Sequence, residues 1–482
     1  MSKTNNNKEA INHNHFIQGS PLPFSILDNQ YVNAAYPNEP LDIRNGGFGS
    51  DAAAHPTNPK QFYVLTDRGP NADFVGSAGT GKRFLIPDYT PRIGLFELQD
   101  YSIIIKVKEI LLKDANGTPI TGLPNPKAFG GTHEIPYDAQ GKVMTVNPDL
   151  PFDEITNPIN NDINGLDPEG LVALNDGSFW VSDEYGPHLV HYDADGVEIG
   201  RINPFTNDAR NTVMSNVINN GINNGMSNGK PLLLPAEFIN RRANRGMESL
   251  TITPDQSTLV GVMESSMDNP NKSGRGSNLT RIIAINVLTG QIFQYLYRLN
   301  SAQHVISGIT AINEHEFYVI EHDRKFPMQD KSAQKHIYKV DIAEATDIND
   351  FSAINELSNQ HYQFAKNKDF GLMVNEQALE QFIAEDNGSW QILAEIGITP
   401  MTKILAVDVL AAVAYPHDKL EGLWLRQDGS LGLLNDDDFA ITDVTMADGS
   451  NALEQKYLDS AKTIEDANRL YIVMPDMVTV AE

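Results

Sequence analysis

Cysteine is absent from the 482 residues, which removes disulfides, thiolate catalysis, zinc–sulfur sites and iron–sulfur clusters together. Long apolar runs are also missing. No stretch approaches 18 uninterrupted apolar residues, so no transmembrane helix is expected. The first residues, Met1 to Ser20, are polar and Asn-rich with no apolar h-region, so no signal peptide is visible in this chain. Positive charge is scarce: 36 Lys and Arg face 63 Asp and Glu, a net −27. That balance argues against sequence-independent nucleic-acid binding, which needs a basic stripe, and against an anionic membrane surface as partner. Glycine (36) and proline (27) stand near their ordinary share, which excludes collagen and global disorder. The 40% of apolar residues is enough for a sizeable core.

What is present reads as short strands between turns. Phe62–Thr66, Phe179–Ser182, Leu259–Met263, Phe317–Ile320 and Leu431–Leu434 are apolar runs, each after a polar or Gly-containing turn such as Asn175–Gly177 or Gln427–Gly429. Arg281–Asn286 and Ile292–Leu299, joined through Thr289 and Gly290, form a further hairpin. Helical spacing is confined to about 375–397, with 401–414 as a second candidate, and 205–230 reads as a long polar loop.

An internal repeat organises these strands. Glu169 and Glu184, Glu248 and Glu264, Ser307 and Glu321, and Glu421 and Asp436 are separated by 15, 16, 14 and 15 residues; Asp51 and Asp67 form a degenerate copy at 16. Each unit is a strand, a turn and a strand, so both ends of each hairpin return to one edge. The expected fold is an all-β propeller, with six blades favoured and five to seven allowed. Residues 21–482 would form this single domain, with insertions at about 205–230 and 343–400 and a polar tail at 1–20. The strand Leu470–Val473 is placed to complete a blade with N-terminal sequence.

Equivalent blade edges converge on the axis of a propeller. Asp67, Glu169, Asp183, Glu184, Glu248, Glu264, Glu321, Glu421 and Asp436 would then share one funnel. Carboxylates so close repel, and a hard divalent cation relieves the repulsion. Oxygen-only donors point to Ca²⁺, with Mg²⁺ possible. Arg68, Arg245 and Arg324 sit within three residues of these acids, with Arg241, Arg242, Lys82 and Arg83 nearby. Metal plus guanidinium groups suits a small anionic, phosphate-like ester, although each Arg could instead serve as a blade-edge ion pair. His188 and His322 are candidate general acids or bases, or else buried structural histidines.

Two motifs fail. Gly76–Arg83 nearly matches a P-loop, but Arg83 replaces the required Ser/Thr, and Pro87 and Pro91 preclude the following helix. Asp193–Glu198 lacks the twelfth-position Glu of a calcium loop and reads as a hairpin turn. No GxSxG elbow is present.

Several motifs together resemble one bacterial family. They are Gly46–Asp51 with Thr66–Pro70, Asp167–Leu171 with Trp180–Gly186, Arg245–Glu248, Tyr318–Arg324, and Glu421–Leu423 with Asn435–Phe439. The chain is similar over about 45–440 to the "esterase-like activity of phytase" (phytase-like) family. The resemblance implies a propeller-like fold, export to the periplasm or outside the cell, and phosphodiester or phytase-like ester hydrolysis. The final motif departs from the family pattern in carrying Asp437 at its third position. The expected function is Ca²⁺-dependent phosphoester hydrolysis by a monomer. The alternatives are a calcium lactonase or carboxylesterase of the gluconolactonase kind, and a non-catalytic binding propeller with structural calcium.

Overall fold

The structure, a computed structural model, describes residues 18–31, 41–99, 102–132, 134–213, 231–386, 388–446 and 451–475. The 1–17 part of the polar tail and the 214–230 part of the expected loop lie outside them. Strand accounts for 42% and helix for 9%, so the chain is mostly β.

Five four-stranded antiparallel sheets carry the architecture. Sheet 1 runs Asp51–Ala54, Gln61–Leu65, Arg92–Gln99, Ile103–Leu111. Sheet 2 runs Pro168–Ala173, Phe179–Asp183, Leu189–Tyr192, Glu198–Ile202. Sheet 3 runs Met247–Ile252, Thr258–Met263, Leu279–Asn286, Ile292–Arg298. Sheet 4 runs Val305–Ala311, Glu316–His322, Lys335–Asp341, Thr402–Asp408. Sheet 5 joins Gly422–Leu425, Leu431–Leu434 and Arg469–Val473 to Ser20–Pro21 from the other end of the chain, with Ser20 opposite Leu470. The pairing foreseen for Leu470–Val473 is therefore present, and Ser20 belongs to a strand rather than to a tail.

Turn chemistry starts the hairpins. In sheets 2 and 5 an aspartate accepts the N–H two residues on, Ser178 to Asp176 at 2.9 Å and Ser430 to Asp428 at 3.0 Å. The intervening Gly177 and Gly429 take positive φ, +88° and +83°, which a side chain would resist.

The apolar runs are explained by burial on both faces. Leu65, Ile93 and Ile110 pack on Leu171, Val181 and Val190 between sheets 1 and 2. Trp180 and Ile202 meet Leu250 and Ile283 between sheets 2 and 3. Val260 and Ile282 meet Ile306 and Phe317 between 3 and 4. Ile320 and Val407 meet Leu423 and Leu433 between 4 and 5. Trp424 and Leu470 then meet Phe62 and Phe96, bringing sheet 5 against sheet 1. The arrangement is propeller-like.

Six sheets were favoured from sequence; the described residues contain five four-stranded ones. The long interval after Asp51 holds an inserted hairpin, Asn71–Gly76 with Gly79–Phe84, and a stretch at 112–166 whose described residues form the short strand Ile135–Tyr137, a 3-10 turn at Lys127–Phe129 and isolated bridges. That hairpin contains the rejected P-loop-like segment. The interval after Ser307 holds the insertion at 343–400, with helices Phe351–Glu356, Leu379–Glu385 and Ser389–Glu395. Arg281 of sheet 3 clasps Glu380 of this insertion at 2.6 and 3.0 Å. The helix expected at 401–414 is instead the outer strand of sheet 4, Thr402–Asp408, followed by one turn, Val409–Ala412. Its apolar residues recur closely enough to fit either period, and pairing with Lys335–Asp341 decides the matter.

At the axis the first strands are tied to one another. Asp51 of sheet 1 accepts Leu171 N–H of sheet 2 at 2.8 Å and Ser249 Oγ–H of sheet 3 at 3.1 Å. Ser249 Oγ in turn accepts Ile309 N–H of sheet 4 at 3.0 Å. Gly170, Gly308 and Gly422 leave room there: a Cβ on Gly170 would lie 2.6 Å from Leu250 N, and one on Gly308 2.6 Å from Glu421 O. Beyond this level the first strands of all five sheets line a cavity of 260 Å³. Asp51→Ala should strand Leu171 N–H and Ser249 Oγ without their acceptor, costing about 2–4 kcal/mol in chemical denaturation; an unchanged midpoint would remove Asp51 as the axial tie.

Candidate metal centre

Register decides which acids face the axis. Asp51 pairs with Leu65, Gly170 with Ser182, Ser249 with Val262, Gly308 with Ile320 and Gly422 with Leu434. Side chains alternate along a strand, so the residue two further on shares the face of the paired one. Those residues are Asp67, Glu184, Glu264, His322 and Asp436. On the first strands the residues just before are Ser50, Glu169, Glu248, Ser307 and Glu421. In three sheets this residue falls at a register shift, between Pro168 and Gly170, Met247 and Ser249, and Ile306 and Gly308. A bulge there re-aims the side chain out of the ladder.

Glu169, Glu184, Glu248 and Glu264 are brought together as expected, joined by Asp167. Asp167, Glu169 and Glu184 place carboxylate oxygens within 4.8 Å of one another, and so do Glu184, Glu248 and Glu264. Glu421 adds repulsion to both Glu169 and Glu248. Asp436 and Asp67 act on each other beside it. Asp436 is held by Lys419 Nζ at 2.7 Å, a cation that sequence reasoning missed. Asp167 was missed as a site residue although its motif was noticed; its place two residues before Glu169 was the available signal.

Glu321 does not join this group. The axial position of sheet 4 belongs to His322, and a one-residue offset turns Glu321 to the opposite face. There it accepts Tyr297 Oη–H at 2.9 Å and Asn300 N–H at 2.8 Å, and pairs with His304 and Lys403. Burial alone would raise its carboxyl, but His304 and Lys403 bring it below the ordinary range. Asp183 is likewise turned away. It accepts Asp167 N–H and Gly186 N–H, both at 2.8 Å, and burial lifts it to about 6.

The histidines divide. His188 sets Nε2 at 3.1 Å from Asn125 Oδ1 and 3.2 Å from Phe129 O, and burial pushes its pKa well down. It is a neutral brace for the 125–129 segment, away from the axial positions. His322 is also buried and neutral, with Nδ1 toward Asp323 O. The partner assigns the proton to Nδ1, so the lone pair lies on Nε2, which is buried and has no hydrogen-bond partner.

The arginines have unequal freedom. Arg68 is enclosed, paired with Asp167, Glu184 at 3.4 Å and Glu134 at 3.3 Å, and bonded to Asn244. Arg324 and Arg245 both approach Glu264, Arg245 at 3.5 Å, and keep 42% and 18% of their side-chain surface exposed. Arg241 donates to the carbonyls of Gly130 and Tyr185, Lys82 pairs with Asp73, and Arg83 lies over the Phe74 ring. These three are committed to structure.

Electrostatic strain remains after these pairs. Burial and neighbouring carboxylates hold Asp67, Glu169, Glu248 and Glu421 well above the ordinary range. Burial, Asp167 and Glu264 push Glu184 up to about 8 against the pull of Arg68 and Arg324. Glu248 is 5% exposed, and among the described residues neither it nor Glu169 has a hydrogen bond or ion pair; Oε2 of Glu248 and of Glu421 are buried without a partner. An oxygen-only, desolvated donor set in which Glu169 and Glu248 have no partner of their own fits Ca²⁺.

Fold and site together define a propeller-like β-protein with a buried acidic centre at one end of its axis. A model of the family described as phytase-like, esterase-like activity of phytase, matches residues 43–439, and the chain belongs to that family. An uncharacterized secreted protein of Arthroderma benhamiae is 27% identical over 292 residues, 57% of this chain and 51% of that protein. The chain thus spans about half the length of that relative. Among solved structures, a glycoside hydrolase family 43 arabinoxylan arabinofuranohydrolase from Bacillus subtilis gives a TM-score of 0.34 at 9% identity, covering 87% of this chain and 66% of that one. The PQQ-bound aldose sugar dehydrogenase from Streptomyces coelicolor gives 0.28 at 10%, covering 91% and 100%. Scores this low carry no argument about the reaction.

The raised acids set a pH dependence. A carboxyl near pH 8 in the fold and near its ordinary 4.5 when unfolded binds more protons in the native state between those values. Stability of the cation-free protein should therefore fall as pH rises from about 4.5 to 8. Melting curves in EGTA across that window should show the decline, and millimolar Ca²⁺ should flatten it; a cation-free curve that rises with pH would contradict the charge state assigned to the site.

Proposed function

We propose that the chain is a closed five-bladed propeller that hydrolyses a phosphomonoester or phosphodiester in a Ca²⁺-dependent manner. The observation that carries this reading is Glu248, a buried carboxylate with no donor of its own beside Glu184 and Glu264. Asp167, Glu169, Glu184, Glu248, Glu264 and Glu421 would hold the cation. Bound there, it supplies Lewis-acid polarisation of a phosphoryl oxygen and acidifies water. Family membership supports a hydrolase of this general kind.

The chain's own residues do the rest. Arg324 and Arg245 present partly exposed guanidinium groups at the edge of the acidic centre, where they neutralise and orient an anionic ester. Arg68 holds Asp167 and Glu184 in place instead of meeting substrate. His322 offers an unprotonated Nε2 as proton acceptor on the face that carries acids in the other sheets. With Arg68 committed to the acids, two arginines remain for the clamp rather than three, and lactone hydrolysis stays in the test for that reason. Export is proposed from the secreted relative.

A panel of phosphomonoester, phosphodiester, lactone and acyl-ester substrates, with Ca²⁺ and with EGTA, tests the reaction. Phosphoester turnover should disappear in EGTA and in Glu248→Gln. Arg324→Ala should lower kcat/KM by roughly 10–100-fold, the worth of a charged hydrogen bond. Turnover of the lactone alone would replace the proposed substrate. Absence of turnover in the whole panel would make the protein a binding propeller.

A further inference from the structure

The acidic centre is two overlapping triads rather than one cluster. Asp167 and Glu169 belong to one, Glu248 and Glu264 to the other, and Glu184 alone is common to both. Arginines compensate each triad only in part. Arg68 pairs with Asp167 and Glu184 in the first, and Arg324 and Arg245 pair with Glu264 in the second. Each triad keeps one acid without an ion pair among the described residues, Glu169 in one and Glu248 in the other. In the second triad Oε2 of Glu248, on a residue 5% exposed, is buried with neither a hydrogen bond nor an ion pair, whereas Oδ2 of Asp167 and Oε2 of Glu264 face the guanidinium groups of Arg68 and Arg245. A single ion placed in either triad would leave the other with a bare, desolvated carboxylate, the arrangement that costs most in a protein interior.

We propose that the centre binds two divalent cations side by side, with the Glu184 carboxylate bridging them, one completed by Asp167 and Glu169 and the other by Glu248 and Glu264. This rests on the cation-dependent reading and extends it to a stoichiometry. Two adjacent hard cations suit an ester oxyanion that bridges them, and they place Arg324 and Arg245 beside the second ion only. The two positions are therefore unequal, the first being the more enclosed.

Calcium binding to EGTA-stripped full-length protein tests this, by isothermal titration and native mass spectrometry with Ca²⁺ alone, then Mg²⁺ alone. About 0.15 M KCl screens weak surface binding, and Glu184→Gln serves as the background. The expected result is two ions per chain in the wild type, one in Glu169→Gln, one in Glu248→Gln, and loss of paired binding in Glu184→Gln. One ion in the wild type overturns the pair while leaving the single-cation reading in place. No bound ion overturns both. Two ions retained in Glu169→Gln or Glu248→Gln overturns the assignment of ligands. Circular dichroism verifies each variant's fold, and the wild-type count decides the stoichiometry even where a variant does not fold. Hydrolysis is read separately: two ions with no turnover would sink the enzymatic reading and leave this one standing.

Discussion

The carboxylate of Asp51 sets the level at which the first strands meet. It takes an amide hydrogen from sheet 2 and a hydroxyl from sheet 3, and Ser249 passes the link to sheet 4. Glycines at the matching positions of sheets 2, 4 and 5 make the close approach possible. Once the strands are level, side-chain alternation carries the residue two beyond each partner to the axis. The register shifts at Glu169, Glu248 and Ser307 re-aim the residue before each paired glycine or serine out of its ladder. Everything said about the acidic centre follows from that registration.

Stability and site chemistry oppose each other here. Burial of Glu169, Glu184, Glu248 and Glu421 in one another's fields makes their ionisation mutually repulsive, a cost that the arginines only partly relieve. The surrounding hydrophobic interfaces hold the acids in position against it. A bound cation would convert the same repulsion into affinity, because the ligands are already gathered and desolvated.

Much of this was legible in the sequence because strand, turn and strand recur at nearly constant length. The recurrence located Glu169, Glu184, Glu248, Glu264, Glu421 and Asp436 without coordinates. It misplaced Glu321 because the spacing in sheet 4 is shorter, and the acid stands one residue ahead of the axial position. Only the pairing of Gly308 with Ile320 reveals that His322 occupies it. Bulges at Glu169 and Glu248 were invisible for the same reason: an extra residue in a strand changes direction, not composition. The division between Arg68, enclosed among acids, and Arg324, partly open, depends on contacts across more than 100 residues, as from Arg68 to Glu184. Length favours six blades because insertions and blades look alike when counted that way; the described residues contain five four-stranded sheets.

The fifth sheet is assembled from segments far apart in sequence, with Ser20 and Pro21 lying along Arg469 and Leu470. During synthesis, sheets 2, 3 and 4 can form in order from contiguous segments as they emerge. The fifth cannot gain its outer strand until Arg469–Val473 has been made. The ordering of Ser20–Pro21 thus waits on a strand made long after it, and a chain cut short before Arg469 would lack the edge on which it pairs.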